Sequence, residues 1–223
     1  TDSSVTENTR ASYPETHIHK AVIPTIGGVP QNIFFLTCDA FGVLPPNAKL
    51  TPGQAMYHFI SGNTAKVAGT ELGITEPKAV FSACFGAPFM PLHPTISAEM
   101  LGKKMAENNV NVWMINTGWT GGPYGVGSRM KLQYTRATIT AALNGSLDNV
   151  EYHNHTVFGM AIPFTCPNVP AEILSPKATW NDDNAFYEKT NELANAFINN
   201  FKDYEDFANE EIMAGAPVPK VLV

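Results

Sequence analysis

Apolar and polar positions along the chain fall into blocks that predict an α/β fold. The apolar run from Ile33 to Leu36 and the segment "VNVWMIN" from Val110 have the length and composition of buried strands. The segment "HTVFGMAIPF" from His155 predicts another short strand. Because these runs alternate with segments of helical character, we predict a mixed sheet with flanking helices.

The clearest helix start follows the first predicted strand. Thr51, Pro52 and Gln54 form an N-cap, a first-turn proline and a capping box, so we predict a helix that begins at Thr51. Gly62 is expected to interrupt this helix before a second helical piece over residues 65–68.

Three further segments predict helices, and they begin at His93, Gln133 and Asp182. The second of them is expected to end at Gly145, because glycine commonly follows the last helical residue. Apolar residues at helical spacing define the buried faces of the first and third. These residues are Ile96, Met100, Leu101 and Met105 in the first helix and Phe186, Leu193, Phe197 and Phe201 in the third.

Composition narrows the function classes. Hydrophobic residues make up 44% of the 223 residues, which is enough for a substantial core. A formal net charge of −6 argues against non-specific binding to nucleic acid or to an anionic membrane. Three sparse cysteines without a CxxC motif indicate a reducing compartment, so we expect a cytoplasmic protein, with an organelle of the glycosome or peroxisome kind left open. The polar opening without a start methionine predicts a segment from within a longer protein.

The segment "NTGWTGGPYGVGSRMKLQYTR", from Asn116, places a glycine-rich loop between a predicted strand and a predicted helix. Gly122 and Gly127 have the glycine spacing of a phosphate-binding loop, but Ser-Arg follows where Lys-Ser or Lys-Thr is needed. The dinucleotide pattern GxGxxG fails as well. The interpretation that fits best is that the loop frames Arg129, whose planar guanidinium is suited to stack on a base, with Thr135 adding a hydroxyl.

Other candidate residues have competing interpretations. Cys84, with His93 nearby in sequence, would be the nucleophile of a thiol hydrolase, but its place between two phenylalanines is typical of a buried structural thiol. Arg10, in the polar stretch "ENTR", is either a solvated charge or a fork of donors for phosphoryl transfer. Two His-x-His pairs, at 17–19 and 153–155, lack an obvious third ligand nearby and do not define a metal site.

Six segments in one order resemble the C-terminal part of the ATP-dependent phosphoenolpyruvate carboxykinase family. They are "ENTRASYP", "LTCDAFGVLPP", "YHFISGNTAKVAGTELGITEP", "FSACFGAPFMPLHP", "NTGWTGG" and "RMKLQYTRATITAALNGSLDN". The resemblance runs from about Val5 to beyond Phe201. It points to the ATP-using branch, because the GTP-using enzymes have different segments here.

The resemblance implies a reaction and a set of site residues. Members of the family convert oxaloacetate and ATP to phosphoenolpyruvate, carbon dioxide and ADP. Arg10 matches an arginine that contacts the ATP phosphates and the substrate, while Arg129, Met130 and Thr135 match residues of the adenine pocket. Residues 69–77 resemble a mobile lid over the site, and the lid residues are Gly69, Thr70, Glu71, Gly73, Thr75 and Glu76.

The resemblance also implies partners and missing parts. Residues 1–223 are expected to be the C-terminal part of the nucleotide-binding domain of a longer enzyme, with no internal boundary. The family's phosphate loop and the Lys, His and Asp that bind its metal lie upstream, so ATP with Mg²⁺ is expected but the ligands of a second ion, Mn²⁺, are not in this chain. Expected partners are ATP and ADP, oxaloacetate and phosphoenolpyruvate, CO2 and the N-terminal part of the same enzyme, with a homo-oligomer left open. A non-catalytic fragment is the remaining alternative.

Overall fold

The computed structural model describes residues 12–67 and 73–221. Within these ranges, a five-stranded sheet and two two-stranded ribbons are flanked by helices. The strands are β1 (Asn32–Thr37), β2 (Asn47–Leu50), β3 (Asn63–Lys66), β4 (Lys78–Phe81), β5 (Asn111–Asn116), β6 (Trp119–Thr120), β7 (Ser128–Arg129), β8 (Tyr152–Asn154) and β9 (Ala161–Pro163). The α-helices are α1 (Pro52–Ser61), α2 (Pro94–Asn108), α3 (Leu132–Leu143), α4 (Ala171–Leu174), α5 (Asp183–Phe201) and α6 (Glu210–Met213).

The large sheet is mixed, which confirms the predicted architecture. Its strand order is β1-β5-β2-β9-β8. Strand β1 runs parallel to β5, with Asn32 opposite Asn111, and the remaining neighbours are antiparallel. Because β1 and β5 are parallel, the loops that follow Thr37 and Asn116 leave the sheet at the same edge.

Helices cover both faces of the sheet, which explains why strand β5 is apolar from Val112 to Ile115. Val112 and Met114 point into the larger core, which contains residues of α1, α2 and α5. Trp113 and Ile115 point into a second core that contains residues of α3 and α4. A strand buried on both faces has a continuous apolar run in place of an alternating pattern. No helix in the described parts of the chain combines the length and the apolar character needed to cross a membrane.

The predicted helix starts are confirmed at α1 and α5. At α1, the Thr51 side chain accepts a hydrogen bond from the Gln54 N–H while the Gln54 side chain accepts one from the Thr51 N–H, which completes the capping box. At α5, the Asp182 carboxylate caps the first turn. All four apolar residues predicted for the inner face of α5 are buried.

The second helical piece predicted over residues 65–68 is wrong. Strand β3 lies there instead and pairs antiparallel with β4, with Asn63 opposite Phe81. Gly62 ends α1 in the left-handed conformation, at φ 54°, and a Cβ at this residue would lie 1.8 Å from the Ser82 carbonyl oxygen. The pairing with β4 satisfies backbone groups that a helix would otherwise satisfy, so it overrides the local helix propensity. Residue 68 lies outside the described ranges.

The buried face of α2 also differs from the prediction. Met105 is buried and Leu101 packs partly buried against the larger core, but Ile96 and Met100 are exposed. The reason is a close approach to α1, where a Cβ at Gly102 would lie 2.5 Å from the Met56 sulfur. Small residues therefore face α1, and the other fully buried positions of α2 are Thr95 and Ala98.

Two of the predicted strands differ in detail. The Leu36 side chain is 55% exposed, because β1 is one of the two edge strands of the described sheet and has a neighbouring strand on one side only. The segment from His155 begins with a turn, in which the Gly159 N–H donates to the His155 carbonyl oxygen at 2.8 Å, before β9 starts at Ala161.

Candidate functional site

Two loops lie side by side at the carboxyl ends of β1 and β5. The first covers residues 38–46 and the second residues 117–131, and we call them the first and second edge loops. The Thr117 N–H donates to the Thr37 carbonyl oxygen at 2.8 Å, and the Trp119 N–H donates to the Asp39 carbonyl oxygen at 2.8 Å. The crevice beyond the carboxyl ends of parallel strands is where open α/β sheets bind ligands.

Glycines allow the two edge loops to meet backbone to backbone. A Cβ at Gly42, where φ is 76°, would lie 2.2 Å from the carbonyl oxygen of Gly122. A Cβ at Gly118 would lie 2.2 Å from the carbonyl oxygen of Asp39. No side chain fits at either contact, so these two glycines are required by the close approach.

The buried Asp39 carboxylate organises the first edge loop. One oxygen accepts from the Phe41 N–H at 2.8 Å, and the other accepts from the N–H groups of Val43 and Leu44, each at 2.7 Å. Burial raises the pKa of Asp39 to about 6, and these backbone donors, which favour the charged form, limit the increase. The loop therefore wraps its backbone around an anion that the chain itself supplies.

Asn116, at the end of β5, ties the two edge loops together. Its amide oxygen accepts from the Asp39 N–H at 3.1 Å and from the Gly118 N–H at 2.8 Å. Its amide nitrogen donates to the Leu44 carbonyl oxygen at 3.0 Å. One fully buried side chain thus fixes both loops relative to the sheet.

Arg129 lies on the second edge loop, where β7 pairs with β6 and places it opposite Trp119. Its guanidinium carbon lies 5.4 Å from the centre of the Trp119 ring, within the range of a cation–π contact. Its Nε donates to the Thr117 carbonyl oxygen at 3.3 Å. The half-buried guanidinium is therefore held in one orientation before any ligand arrives.

Met130 and Thr135 follow Arg129 into the start of α3. Met130 is buried, and its N–H donates to the Gly118 carbonyl oxygen at 2.7 Å. Thr135 is buried in the first turns of α3. The structure therefore joins the three predicted base-site residues through one short stretch of backbone at the sheet edge.

Residues between α4 and α5 contact both edge loops. The Trp180 indole N–H donates to the Gly42 carbonyl oxygen at 2.8 Å. The Thr120 hydroxyl donates to the Thr179 hydroxyl at 3.2 Å. The segment 179–180 thus contacts the first loop through one residue and the second through the other.

The predicted lid segment, 69–77, connects β3 to β4. Gly73, Thr75 and Glu76 are exposed in this connection, whereas the predicted site residues Arg10, Gly69, Thr70 and Glu71 lie outside the described ranges. The Thr37 hydroxyl donates to the Asn63 carbonyl oxygen at 2.8 Å. The β3–β4 hairpin is therefore rooted at the same sheet edge as the two loops.

The thiol hydrolase interpretation is wrong. The Cys84 side chain is 8% exposed, and its sulfur lies 3.9 Å from the Pro94 carbonyl oxygen. Burial raises the pKa of the Cys84 thiol to about 11, so the thiolate is scarce at neutral pH. His93 has its Nδ1 2.8 Å from the Thr95 hydroxyl. Cys38, Cys84 and Cys166 are buried and form no disulfide.

Among the described residues, no three His, Cys, Asp or Glu side chains are grouped to hold an ion. The buried His155 ring instead stabilises a turn. Its Nδ1 accepts from the N–H groups of Val157 and Phe158, and its Nε2 lies 3.1 Å from the Val43 carbonyl oxygen. This buried histidine therefore has a structural role in the turn.

Sequence reasoning missed Asp39, Asn116 and Trp119, which build the site without being its predicted contacts. A signal was present for the first two, since each is a polar residue at or just past the end of a strongly apolar strand. Such positions lie at the ligand-binding edge of an α/β sheet. Trp119 carried no such signal, because its contact with Arg129 depends on the pairing of β6 with β7.

Comparison with known proteins identifies the family of the chain. A family model described as "Phosphoenolpyruvate carboxykinase" matches residues 1–172. Proteins named phosphoenolpyruvate carboxykinase (ATP) from Flavobacterium johnsoniae and Christiangramia forsetii are 67% and 64% identical over 97% of this chain, and one from Geobacter metallireducens is 58% identical over 93%. The chain spans about two fifths of the length of these curated relatives, 41%, 41% and 39% respectively. The chain therefore belongs to the ATP-dependent phosphoenolpyruvate carboxykinase family.

Proposed function

We propose that the protein catalyses the ATP-dependent conversion of oxaloacetate to phosphoenolpyruvate, with release of CO2 and ADP. Loss of CO2 leaves the bonding electron pair on the remaining carbons as an enolate, and the enolate oxygen then takes the γ-phosphoryl group from ATP. The observation that carries the proposal is 67% identity over 97% of the chain to a relative with this activity in its name. The proposal extends to gluconeogenesis as the setting and to the cytoplasm as the location.

Within this activity, we infer that residues 129–135 bind the adenine of ATP. The Arg129 guanidinium is planar and is already oriented by Trp119 and by the Thr117 carbonyl oxygen. Stacking on a purine then costs little further loss of side-chain freedom. Met130 supplies an apolar surface and Thr135 a hydroxyl close by.

The remaining roles rest on the resemblance of the motifs. Arg10 is proposed to contact the ATP phosphates and the enolate oxygen, and the lid segment to exclude water from the enolate. The described residues hold no grouped ligand set for Mg²⁺ or Mn²⁺, so no step here is assigned to a metal ion. The N-terminal part of the enzyme is proposed to provide the phosphate loop and the metal ligands.

Arg129→Ala should raise the Michaelis constant for ATP more than it lowers turnover. Stacking on adenine is equally strong in the ground state and the transition state, so its loss weakens binding without changing the chemical step. For a partly desolvated cation–π contact, we expect a loss of about 1–2 kcal/mol. Steady-state kinetics of the full-length protein provide the measurement, and Arg136→Ala, which removes an exposed arginine on α3, is the matched control. An unchanged Michaelis constant for ATP would remove Arg129 from the site.

Gly73→Pro should slow turnover and increase the fraction of oxaloacetate that is released as pyruvate. Gly73 has φ 83°, whereas proline requires a φ near −65°, so the lid segment cannot keep its backbone path. A lid that closes poorly lets water protonate the enolate before phosphoryl transfer. The pyruvate-to-phosphoenolpyruvate ratio measures this, with Gly27→Pro in another exposed segment as the control. Equal ratios in both variants and the parent would show that the segment is not a lid.

A further inference from the structure

A small cavity is bordered by residues of the larger core near the carboxyl end of β1. Its wall is mostly apolar and includes Phe35 of β1 and Phe197 of α5. Three polar side chains also line it, and each comes from a different element: Thr37 from β1, His58 from α1 and Asn63 from β3. The cavity offers about 10 Å³ to the centre of a water-sized sphere, close to the roughly 10–15 Å³ that one water needs.

Two nitrogen atoms of these side chains are buried without a hydrogen-bond partner in residues 12–67 and 73–221. They are Nε2 of His58 and Nδ2 of Asn63. His58 is only 6% exposed and Asn63 only 5%, so bulk water does not reach either nitrogen. Folded proteins satisfy nearly all buried polar groups, either with protein atoms or with ordered water. Both nitrogens therefore call for a partner, and both side chains line the same cavity.

The hydrogen-bonding chemistry of the three polar side chains defines the occupant. The Asn63 amide nitrogen can only donate. The Thr37 hydroxyl already donates to the Asn63 carbonyl oxygen at 2.8 Å, so its own oxygen is left as an acceptor. Burial lowers the pKa of His58 to about 4, so the ring is neutral near pH 7 and Nε2 either donates or accepts, according to its tautomer. The occupant must therefore accept one hydrogen bond and donate another, and it must be no larger than water.

We propose that the cavity binds one water molecule, which bridges β1, α1 and β3 through Thr37, His58 and Asn63. The water accepts a hydrogen bond from the Asn63 amide and donates one to the Thr37 hydroxyl oxygen. Its second proton or its second lone pair then serves Nε2 of His58, so either tautomer of the ring is satisfied. The site explains how the apolar core accommodates two polar side chains, and it is independent of the proposed activity.

The alternative is a dry cavity, as cavities with purely apolar walls are. In that case the two nitrogens would be unsatisfied, or their side chains would turn to hydrogen-bond with other protein atoms. The two interpretations therefore differ in electron density and in whether His58 and Asn63 affect stability independently.

A crystal structure of the full-length protein, at a resolution that shows ordered water, is the direct test. We expect a single water peak in the cavity, about 2.7–3.2 Å from both His58 Nε2 and Asn63 Nδ2. A cavity without a peak would overturn the proposal, and so would a peak that reaches only one of the two nitrogens. This test needs no substitution, so it decides the question even if a variant fails to fold.

A double-mutant cycle tests the bridge by its effect on stability. His58→Phe keeps an aromatic ring without Nε2, and Asn63→Leu keeps the size of the side chain without Nδ2. Each single substitution takes a partner from the water and leaves the other nitrogen less well satisfied, so each should raise the unfolding equilibrium constant about tenfold. The double variant has neither nitrogen, so its effect should be about 3- to 10-fold smaller than the product of the single effects. Urea denaturation of the full-length protein measures all three.

Thr190 provides a matched control for the cycle. Thr190 is fully buried, and its hydroxyl donates to the Phe186 carbonyl oxygen within α5 at 2.7 Å, outside the cavity. The effects of Thr190→Val and Asn63→Leu should therefore multiply. If the effects of His58→Phe and Asn63→Leu multiply in the same way, the two side chains share no water and the proposal is overturned, whatever the activity of the protein.

Discussion

Replacing Asp39 with alanine is expected to lower the free energy of unfolding by about 3–5 kcal/mol, a large share of the stability of an ordinary domain. The substitution leaves the N–H groups of Phe41, Val43 and Leu44 without their acceptor, and each such buried group costs about 1–3 kcal/mol. We expect less than the sum of the three largest costs, because water can enter the loosened loop and hydrogen-bond to the N–H groups. Urea denaturation of the full-length protein measures the loss.

Asp39→Asn is the informative control. Asparagine keeps the shape of the side chain but turns one oxygen into a donor, which must then face either one or two backbone N–H groups. We expect a loss of stability smaller than that of alanine but still clearly measurable. A loss below about 0.5 kcal/mol for both variants, as at an ordinary surface position, would contradict the anion-centred description of this loop.

The pH dependence gives Asp39 a signature of its own. Its pKa in the folded protein, about 6, lies above the ordinary value of 3.8, so the folded state binds more protons between these values. The part of the stability that depends on protonation of Asp39 is therefore full below pH 3.8 and is lost as the pH rises through 6, while the backbone hydrogen bonds to the carboxylate remain. Asp39→Asn should remove this decline, so the stability gap between parent and variant should widen in favour of the parent as the pH falls from 6 towards 4.

Much of the helical architecture could be predicted, because helix signals are local. The capping box at Thr51 and the apolar spacing of α5 involve residues a few positions apart, and both are confirmed. Strand β5 was equally predictable, since burial on both faces leaves an uninterrupted apolar run. In each case the sequence pattern that predicts the element lies within a single segment of the chain.

The wrong predictions concern elements that depend on contacts between segments far apart in the sequence. Strand β3 exists because it pairs with β4, more than ten residues later, and nothing in its own sequence distinguishes it from a helix. The inner face of α2 is set by Gly102 against Met56 of another helix, so the larger Ile96 and Met100 remain outside. Long-range pairing and packing are not encoded in local periodicity.

The candidate site likewise contains residues that a local motif predicts and residues that contact them from distant positions in the sequence. Arg129, Met130 and Thr135 could be predicted as ligand contacts, because a family motif keeps them within a few residues. The residues that hold them in place could not, because Trp119, Asn116 and Trp180 act across ten to more than one hundred positions of sequence. Motifs therefore indicate contacts with a ligand more readily than they indicate the supports of those contacts.

Arg10→Ala is expected to lower turnover by about 10³-fold or more, near the low end of the range for an arginine that stabilises phosphoryl transfer. Arg10 lies outside the described ranges, and the expectation rests on the motif "ENTR" and on the chemistry of the guanidinium. Its rigid fork of donors can bridge two phosphate oxygens, or a phosphate and the enolate oxygen. Charge grows on these oxygens as the γ-phosphoryl group moves, so the contact strengthens in the transition state.

Two controls test whether the geometry or only the charge of Arg10 matters. Arg10→Lys should recover part of the rate, because an ammonium keeps the charge but loses the fork. Arg136→Ala, at an exposed position of α3, should leave turnover unchanged. Turnover is measured on the full-length protein at saturating ATP and oxaloacetate, so that weaker binding does not contribute. A rate for Arg10→Ala within a few-fold of the parent would make Arg10 an ordinary surface charge, because a residue that contacts the transferred phosphoryl group cannot be removed at so small a cost.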